Sequence, residues 1–393
     1  MTPWVRRATT GLPARPSRAR LDGRLCAHPF LQKAVTACLT SSNSPLPTSP
    51  DDPRWRAYCQ LGDEYNHELI GTTEWDETPT DALIQAAAET DHTQRRYLAY
   101  VDGEAVGYAR VLINHVDDPD AAALNVYVHP RHRGRGHGRA LAERLVLDTA
   151  GLTRFETWPL TPRPVAGQRA LTPANGAGVV PAEHPGVRLA QSYGFALVQI
   201  ERVSRYDFAD PGIDPAVALA EAERVSSDYE LHAWEGAADA SLQDDVAVLK
   251  ARMATDVPSG ERTVVEQVWD AARVRRMDEQ ILTTGRLFRA VARHRATGRI
   301  VALSELVAPR SRPDGLIDQW DTIVLPEHRG HRLGMRVKAA NLIAVRDALP
   351  GARAIITWNA EENRHMLDVN EALGFRPVLA EASMEAPAPL RRR

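Results

Sequence analysis

The chain has 393 residues, 44% hydrophobic and 25% charged, with a formal net charge of -3. That is enough length for two ordinary domains with separate cores, and the near-balanced charge argues against a general nucleic-acid or membrane-surface binder. No apolar run approaches the ~18 residues of a spanning helix, and Cys26, Cys38 and Cys59 lack the spacing of a disulfide framework or zinc site, so a cytoplasmic setting is expected.

Residues 1–50 are rich in Arg, Ser, Thr and Pro, with Asp22 as their only acid. They read as a disordered tail, although a transit peptide shares that composition. A first unit over 51–208 opens with a helix over 53–70 and a second over 80–90, capped at Thr78 or Thr80. The run "RYLAYVDGEAVGYARVLIN" alternates about Asp102-Gly103, a pair that suits a type I′ turn and predicts a hairpin. A strand over 122–130 ends at Pro130, which cannot donate to a ladder. The stretch "RGRGHGRAL" at 133–141 then opens a helix to about Thr149. "RFETW" is a strand, 167–186 a long loop, "GVRLAQSYGF" a short helix, and "ALVQIERVSRYDF" a closing strand.

Residues 209–226 read as a linker, entered through the Pro- and Asp-rich "DFADPGIDP". A second unit over 227–386 then repeats the order: strand "YELHAW", two helices to about Thr284, a hairpin turning at Thr297-Gly298, and strand "LIDQWDTIVLP". The echo "RGHRLGMRV" at 329–337 opens a helix through Leu349, followed by strand "ARAIITW", helix "NRHMLDVNEALGF" and strand "RPVLAEASM". A basic tail over 387–393 closes the chain. Val128-x-Pro130-x-x-Arg133-Gly134 matches Val324-x-Pro326-x-x-Arg329-Gly330 at an offset of 196, Thr157-Trp158 matches Thr357-Trp358, and Gly194-Phe195 matches Gly374-Phe375. One α/β unit is therefore present twice.

A strand that ends in a glycine-rich turn opening a helix is an anion site. The first helical amides have no intrahelical partner, the dipole favours negative charge, and glycine lets a phosphate approach the backbone. Flanking arginines add charge-assisted hydrogen bonds. No G-x-x-x-x-G-K-[ST] is present, and Gly134, Gly136 and Gly138 fit a dinucleotide fingerprint badly.

The spacing Arg133-x-x-Gly136-x-Gly138 behind "VYVHP" resembles the acetyl-CoA motif of the GNAT N-acetyltransferase superfamily, and the resemblance runs from Pro53 to about Met384. It implies an α/β (α+β) fold of two tandem GNAT domains, each a mixed, mostly antiparallel sheet flanked by helices. It implies acetyl-CoA as co-substrate, with Val126, Val128, Arg133, Gly134, Arg135, Gly136, His137, Gly138 and Arg139 around it in the first copy. In the second copy the corresponding residues are Val324, Arg329, Gly330, His331, Arg332 and Gly334, where Arg332 replaces the middle glycine. The first copy is therefore the surer site.

In such enzymes a strand carboxylate deprotonates the amine and a tyrosine protonates the thiolate. Eleven residues before the motif arginine the first copy has Ala122, and its tyrosine position holds Ala190; neither titrates. The second copy offers Asp318, nearby Asp321, and Asn370 at the tyrosine position, with His365 close by. Tyr127 is a candidate for the cleft near the acetyl group. The resemblance implies acetyl transfer to an amine of a small molecule or peptide, without metal, nucleic acid or membrane, by a monomer or homodimer. An aminoacyl-tRNA-dependent transferase and a non-catalytic acyl-CoA sensor are the alternatives. Asn363 reads as a helix cap, and Trp158 and Trp358 as sheet core.

Overall fold

Short-range signals place most elements of the computed structural model, which describes residues 37–38 and 46–392; apart from β1 and residues 46–50, the tail lies outside them. Strand β1 (Ala37–Cys38) is followed by α1 (Pro53–Ile70), where the Asp52 carboxylate accepts from the Arg54 and Trp55 amides and Gly71 closes the helix at φ 70. Helix α2 (Pro79–Ala88) is capped by Thr78. β2 (His92–Val101) and β3 (Glu104–Asn114) form the expected hairpin, with φ positive at both Asp102 and Gly103 as a type I′ turn requires. β4 (Ala121–Val128), α3 (His137–Asp148), β5 (Arg154–Thr157), β6 (Leu160–Pro162), β7 (Ala170–Leu171), β8 (Val180–Pro181), α4 (Pro185–Ser192) and β9 (Ala196–Asp207) complete the first half. The long loop thus carries short strands, β7 and β8 pairing with each other.

The second half contains α5 (Pro215–Glu223), β10 (Tyr229–Glu235), α6 (Gln243–Asp256), α7 (Ala271–Leu282), β11 (Gly285–His294), β12 (Ile300–Pro309) and β13 (Ile317–Val324). It continues with α8 (Leu333–Ala348), β14 (Ala354–Ala360), α9 (Arg364–Leu373) and β15 (Arg376–Pro387). Helix α5 lies inside the stretch read as a linker. It packs against α8 and buries Ala218 and Ala222.

The two sheets join into one. The strand order is β1-β2-β3-β4-β5-β15-β9-β14-β13-β12-β11-β10, with β6 also on β15. Each half therefore ends in the other's ladder: Met384 of β15 opposes Thr157 of β5, and Tyr206 of β9 opposes Ile355 of β14. The exchange completes the cores. Ala380, Ala382, Met384, Ala386 and, beyond β15, Leu390 pack with Leu141, Leu145 and Phe155 of the first half. Tyr206 packs with Leu342, Ile355 and Phe375 of the second. Burying a side chain the size of Met384 contributes ~1.5–3 kcal/mol, so neither half has a complete core by itself.

Strand alternation supplies both faces. Tyr97, Ala99 and Val111 meet α3, while Leu98, Tyr108 and Tyr127 meet Leu61 of α1. In the second half Phe288 and Ile317 meet α8, while Val291 and Ile323 meet Leu249 of α6.

Candidate functional site

In the first half β4 and β5 are parallel partners only from Ala121–Arg154 to Ala123–Glu156, and then part. The freed edge of β4 from Leu124 to Val128 walls a cavity of about 280 Å³, closed on its other sides by α1, α3 and α4. Val126, Tyr127 and Val128 are in that wall. The glycine-rich turn forms the mouth. Gly134 and Gly136 hold φ of 75° and 91°, and a Cβ at either would meet nothing within 4 Å. Gly136 caps α3 without a side-chain bond, and the first helical bond runs from the Ala140 amide to the Gly136 carbonyl at 3.0 Å. The amides of His137, Gly138 and Arg139 therefore precede the ladder, as an anion cradle requires.

The arginines divide. Arg133 is not aimed at the cradle: its Nε donates to the Val128 carbonyl at 2.8 Å, and its two terminal nitrogens grip Glu68 of α1 at 2.7 and 2.6 Å. It staples the turn to α1. Arg139 donates along the helix to Glu143 at 2.7 Å. Arg135 is exposed at the turn.

Three imidazoles that sequence patterns do not single out as a set surround the cavity. His132, His137 and His184 each bury Nδ1 without a hydrogen-bond partner. Burial lowers the pKa of His137, with His132 and Arg135 adding to it, and burial likewise lowers that of His184. Tyr127 is 4% exposed, its ring edge-on to Tyr65 at 5.3 Å, and burial holds its phenol well above the ordinary range.

The second turn keeps the same backbone. Arg329 Nε donates to the Val324 carbonyl at 3.2 Å, Gly330 has φ 87°, and Arg332 takes the left-handed conformation of Gly136 at φ 55°. An L-residue there costs roughly 1–2 kcal/mol. The Arg332 guanidinium points to Glu221 of α5 at 3.5 Å, and His331 lies against Tyr229 at 5.4 Å. Gly334 faces Val324, whose Cγ2 would be 3.8 Å from an added Cβ.

The expected catalytic groups of the second half have different fates. Asp321 is bound to the Lys250 ammonium at 2.6 Å. Lys250 also holds Glu305, which reaches Arg289 at 2.7 Å, and Arg289 in turn reaches Asp278 at 2.5 Å. In that chain Asp321 is the counter-ion of Lys250. Asn370 is 1% exposed and donates to Asn359 Oδ1 at 2.7 Å; it braces the end of β14, so no thiol-protonating role follows from its position. Asn363 caps α9 as expected.

Asp318 is different. It lines a cavity of about 640 Å³ between the halves, and burial pushes its carboxyl up to about 7. Its counterpart is not Ala122. Phe155 of β5 corresponds to Ile355 of β14; these oppose Ala122 and Ile317, so Asp318 matches Ala123. The one-residue slip has a cause. The β12–β13 register shifts between Ser304 and Leu306, giving β13 an extra residue, whereas β3–β4 runs unbroken from Gly107–Val128 to Leu112–Ala123. In the first half β4 has no acid at that level; the acid there is Glu156 on the neighbouring β5.

A family model described as the Acetyltransferase (GNAT) family matches residues 50–158. Mycothiol acetyltransferase of Streptomyces griseus is 41% identical over 64 residues, 16% of this chain and 20% of that protein. The Streptomyces coelicolor enzyme of the same name is 46% identical over 56 residues, 14% and 17%. The match thus spans about a fifth of these relatives' length. A tandem GNAT protein from the clavulanic acid biosynthesis pathway superposes with a TM-score of 0.67 at 23% identity, covering 87% of this chain and 98% of that one. A GCN5-related N-acetyltransferase from Sphaerobacter thermophilus gives 0.55 at 16%, covering 86% and 93%. The fold is that of two GNAT units in tandem.

Proposed function

We propose, from the premise that residues 50–158 are a GNAT acetyltransferase domain, that the protein moves an acetyl group from acetyl-CoA to an amine of a small molecule. The residues of the first cleft fit the donor. The cradle of His137, Gly138 and Arg139 amides suits a pyrophosphate, Arg135 adds exposed charge, and the freed edge of β4 offers backbone groups to an extended amide-bearing arm. The turn of the second half repeats the same backbone, which supports the same role there.

The observation that carries the chemistry is Asp318: a carboxyl without an ion-pair partner among the described residues, at the level where β13 parts from β14, facing the large cavity. With its pKa near 7 it can take a proton from an ammonium at neutral pH. The freed amine then attacks the thioester carbon: the N–C bond forms, the C–S bond breaks, and the second proton that nitrogen sheds passes through solvent to the departing thiolate. No tyrosine follows Tyr229 to serve as that acid. Positioning and polarisation of the carbonyl by β13 backbone amides supply the remainder.

A second reading has its own support. His184, kept neutral beside the first cleft, could serve as base there. Calorimetry with acetyl-CoA and a CoA-release assay over amines separate the two. Loss of turnover in Asp318→Asn with retention in His184→Ala supports the second half as the catalytic one; the reverse pattern moves the chemistry to the first. Absence of any acetyl-CoA binding would sink both.

A further inference from the structure

The 640 Å³ cavity is built by both halves. Its first wall is the segment joining α1 to α2, and its second is made from α7, β12 and β13. The first wall is clamped in place: the Leu316 amide donates to the Glu74 carbonyl at 2.9 Å, Arg312 donates to the Thr73 carbonyl at 2.6 Å and to that of Asp76, and Arg205 grips Glu74 at 2.6 Å.

The charges in this cavity do not balance. Asp76 is partnered by His67 at 2.7 Å, Glu89 by His92 at 3.2 Å, and Asp91 by Arg273 at 3.2 Å. Arg273 is further held by Asp117 at 2.6 Å, so among the lining arginines Arg276 alone is without a hydrogen bond or ion pair. Among the described residues Asp81 is met only by the Ser311 hydroxyl, and the carboxyls of Glu77 and Asp318 have no hydrogen-bond or ion-pair partner. Glu77 is near enough to feel Asp81, Asp63 and Asp318, and burial, reinforced by those three, pushes it up to about 7. Two facing acids are thus left uncompensated, one from each half, in a cavity also lined by Trp75, Trp269 and Trp320. Trp269 already takes the Arg273 guanidinium over its ring at 4.4 Å, which leaves the exposed Trp320 to meet an alkylammonium, and carboxylates at both walls set a spacing.

We infer that this cavity takes the acceptor as an organic cation with at least two ammonium groups, a diamine or polyamine, gripped by Glu77 of the first half and Asp318 of the second. The word acceptor rests on the acetyl-transfer reading; the cation site does not. One ammonium pairs with Glu77 and stays charged. The other meets Asp318, gives up its proton there and becomes the nucleophile. A monoamine satisfies only one carboxylate, and an anion is repelled.

The test is calorimetric titration of the full chain with spermidine and with butylamine, without acetyl-CoA. The wild type binds spermidine, butylamine binds at least tenfold more weakly, and Glu77→Gln with Asp318→Asn together weaken spermidine tenfold or more. These changes are near-isosteric at an exposed Glu77 and a half-buried Asp318 and are compatible with folding; Glu77→Gln alone, with an expected several-fold loss, carries the test should the double variant melt early. No spermidine binding, equal binding of butylamine, or undiminished binding by a folded variant overturns the proposal. Since acetyl-CoA is absent, failure of acetyl transfer shows up separately, as spermidine binding without CoA release in the turnover assay.

Discussion

Replacing Asp318 by asparagine separates catalysis from stability, because the account requires the two to move in opposite directions. The carboxyl titrates at about 7 in the folded chain against a usual 3.8. A raised carboxylate leaves the folded state unpenalised below pH 4. Between pH 4 and 7 the unfolded chain ionises while the folded chain holds its proton, so stability falls as pH rises through that window and is level above it. The full penalty is on the order of 4 kcal/mol, and water reaching the carboxyl through the cavity discounts it to about 2 kcal/mol. Urea unfolding of wild type and Asp318→Asn should therefore coincide near pH 4 and diverge by about 2 kcal/mol in the variant's favour at pH 8. Turnover of the variant, read as CoA thiol release at saturating acetyl-CoA, should fall ~10²–10⁴-fold. A variant less stable than wild type at pH 8, or one with undiminished turnover, refutes the reasoning.

Other outcomes follow from the same geometry. Gly136→Trp fills the open space over the first cradle in a backbone that L-residues avoid, and should weaken acetyl-CoA at that cleft at least tenfold in calorimetry. Arg133→Ala frees Glu68 and the Val128 carbonyl without touching the cradle amides; acetyl-CoA affinity should drop several-fold, with partial rescue by Lys, which restores charge but not the bidentate grip. Lys250→Met strips Asp321 of its counter-ion and leaves Glu305 with Arg289 alone, and should cost ~3–5 kcal/mol in a denaturant melt, whereas Arg252→Met on the exposed face of α6 should leave the melt nearly unchanged. Residues 51–208 produced alone lack β15 between β5 and β9, and should form dimers or aggregates by light scattering in place of a folded monomer.

How much of this was legible in the sequence follows the range of each interaction. The cap at Thr78, the turn at Asp102-Gly103 and both glycine-rich helix starts depend on residues within a few positions, and all appear where the pattern puts them. The repeat gave two units of one kind. It could not show that β9 and β15 trade places, because either strand's alternation satisfies either sheet. Nor could it show α5, whose small residues matter only against α8. At the site, Arg133 reads as a phosphate ligand until Glu68, 65 residues away, is placed beside it. Asp318 and Asp321 look interchangeable until Lys250 claims one of them. The bulge in β13 defeats counting back from the motif by one residue, and Glu77 carries no motif at all. Such long-range pairings have no local signature.

The measurement that bears most directly on the central claim is mass analysis of spermidine incubated with acetyl-CoA and the full chain at pH 8. The account predicts a product one acetyl group heavier, formed with stoichiometric CoA and strongly reduced by Asp318→Asn. Unmodified spermidine, together with acetyl-CoA that neither binds nor turns over with any amine, would contradict it.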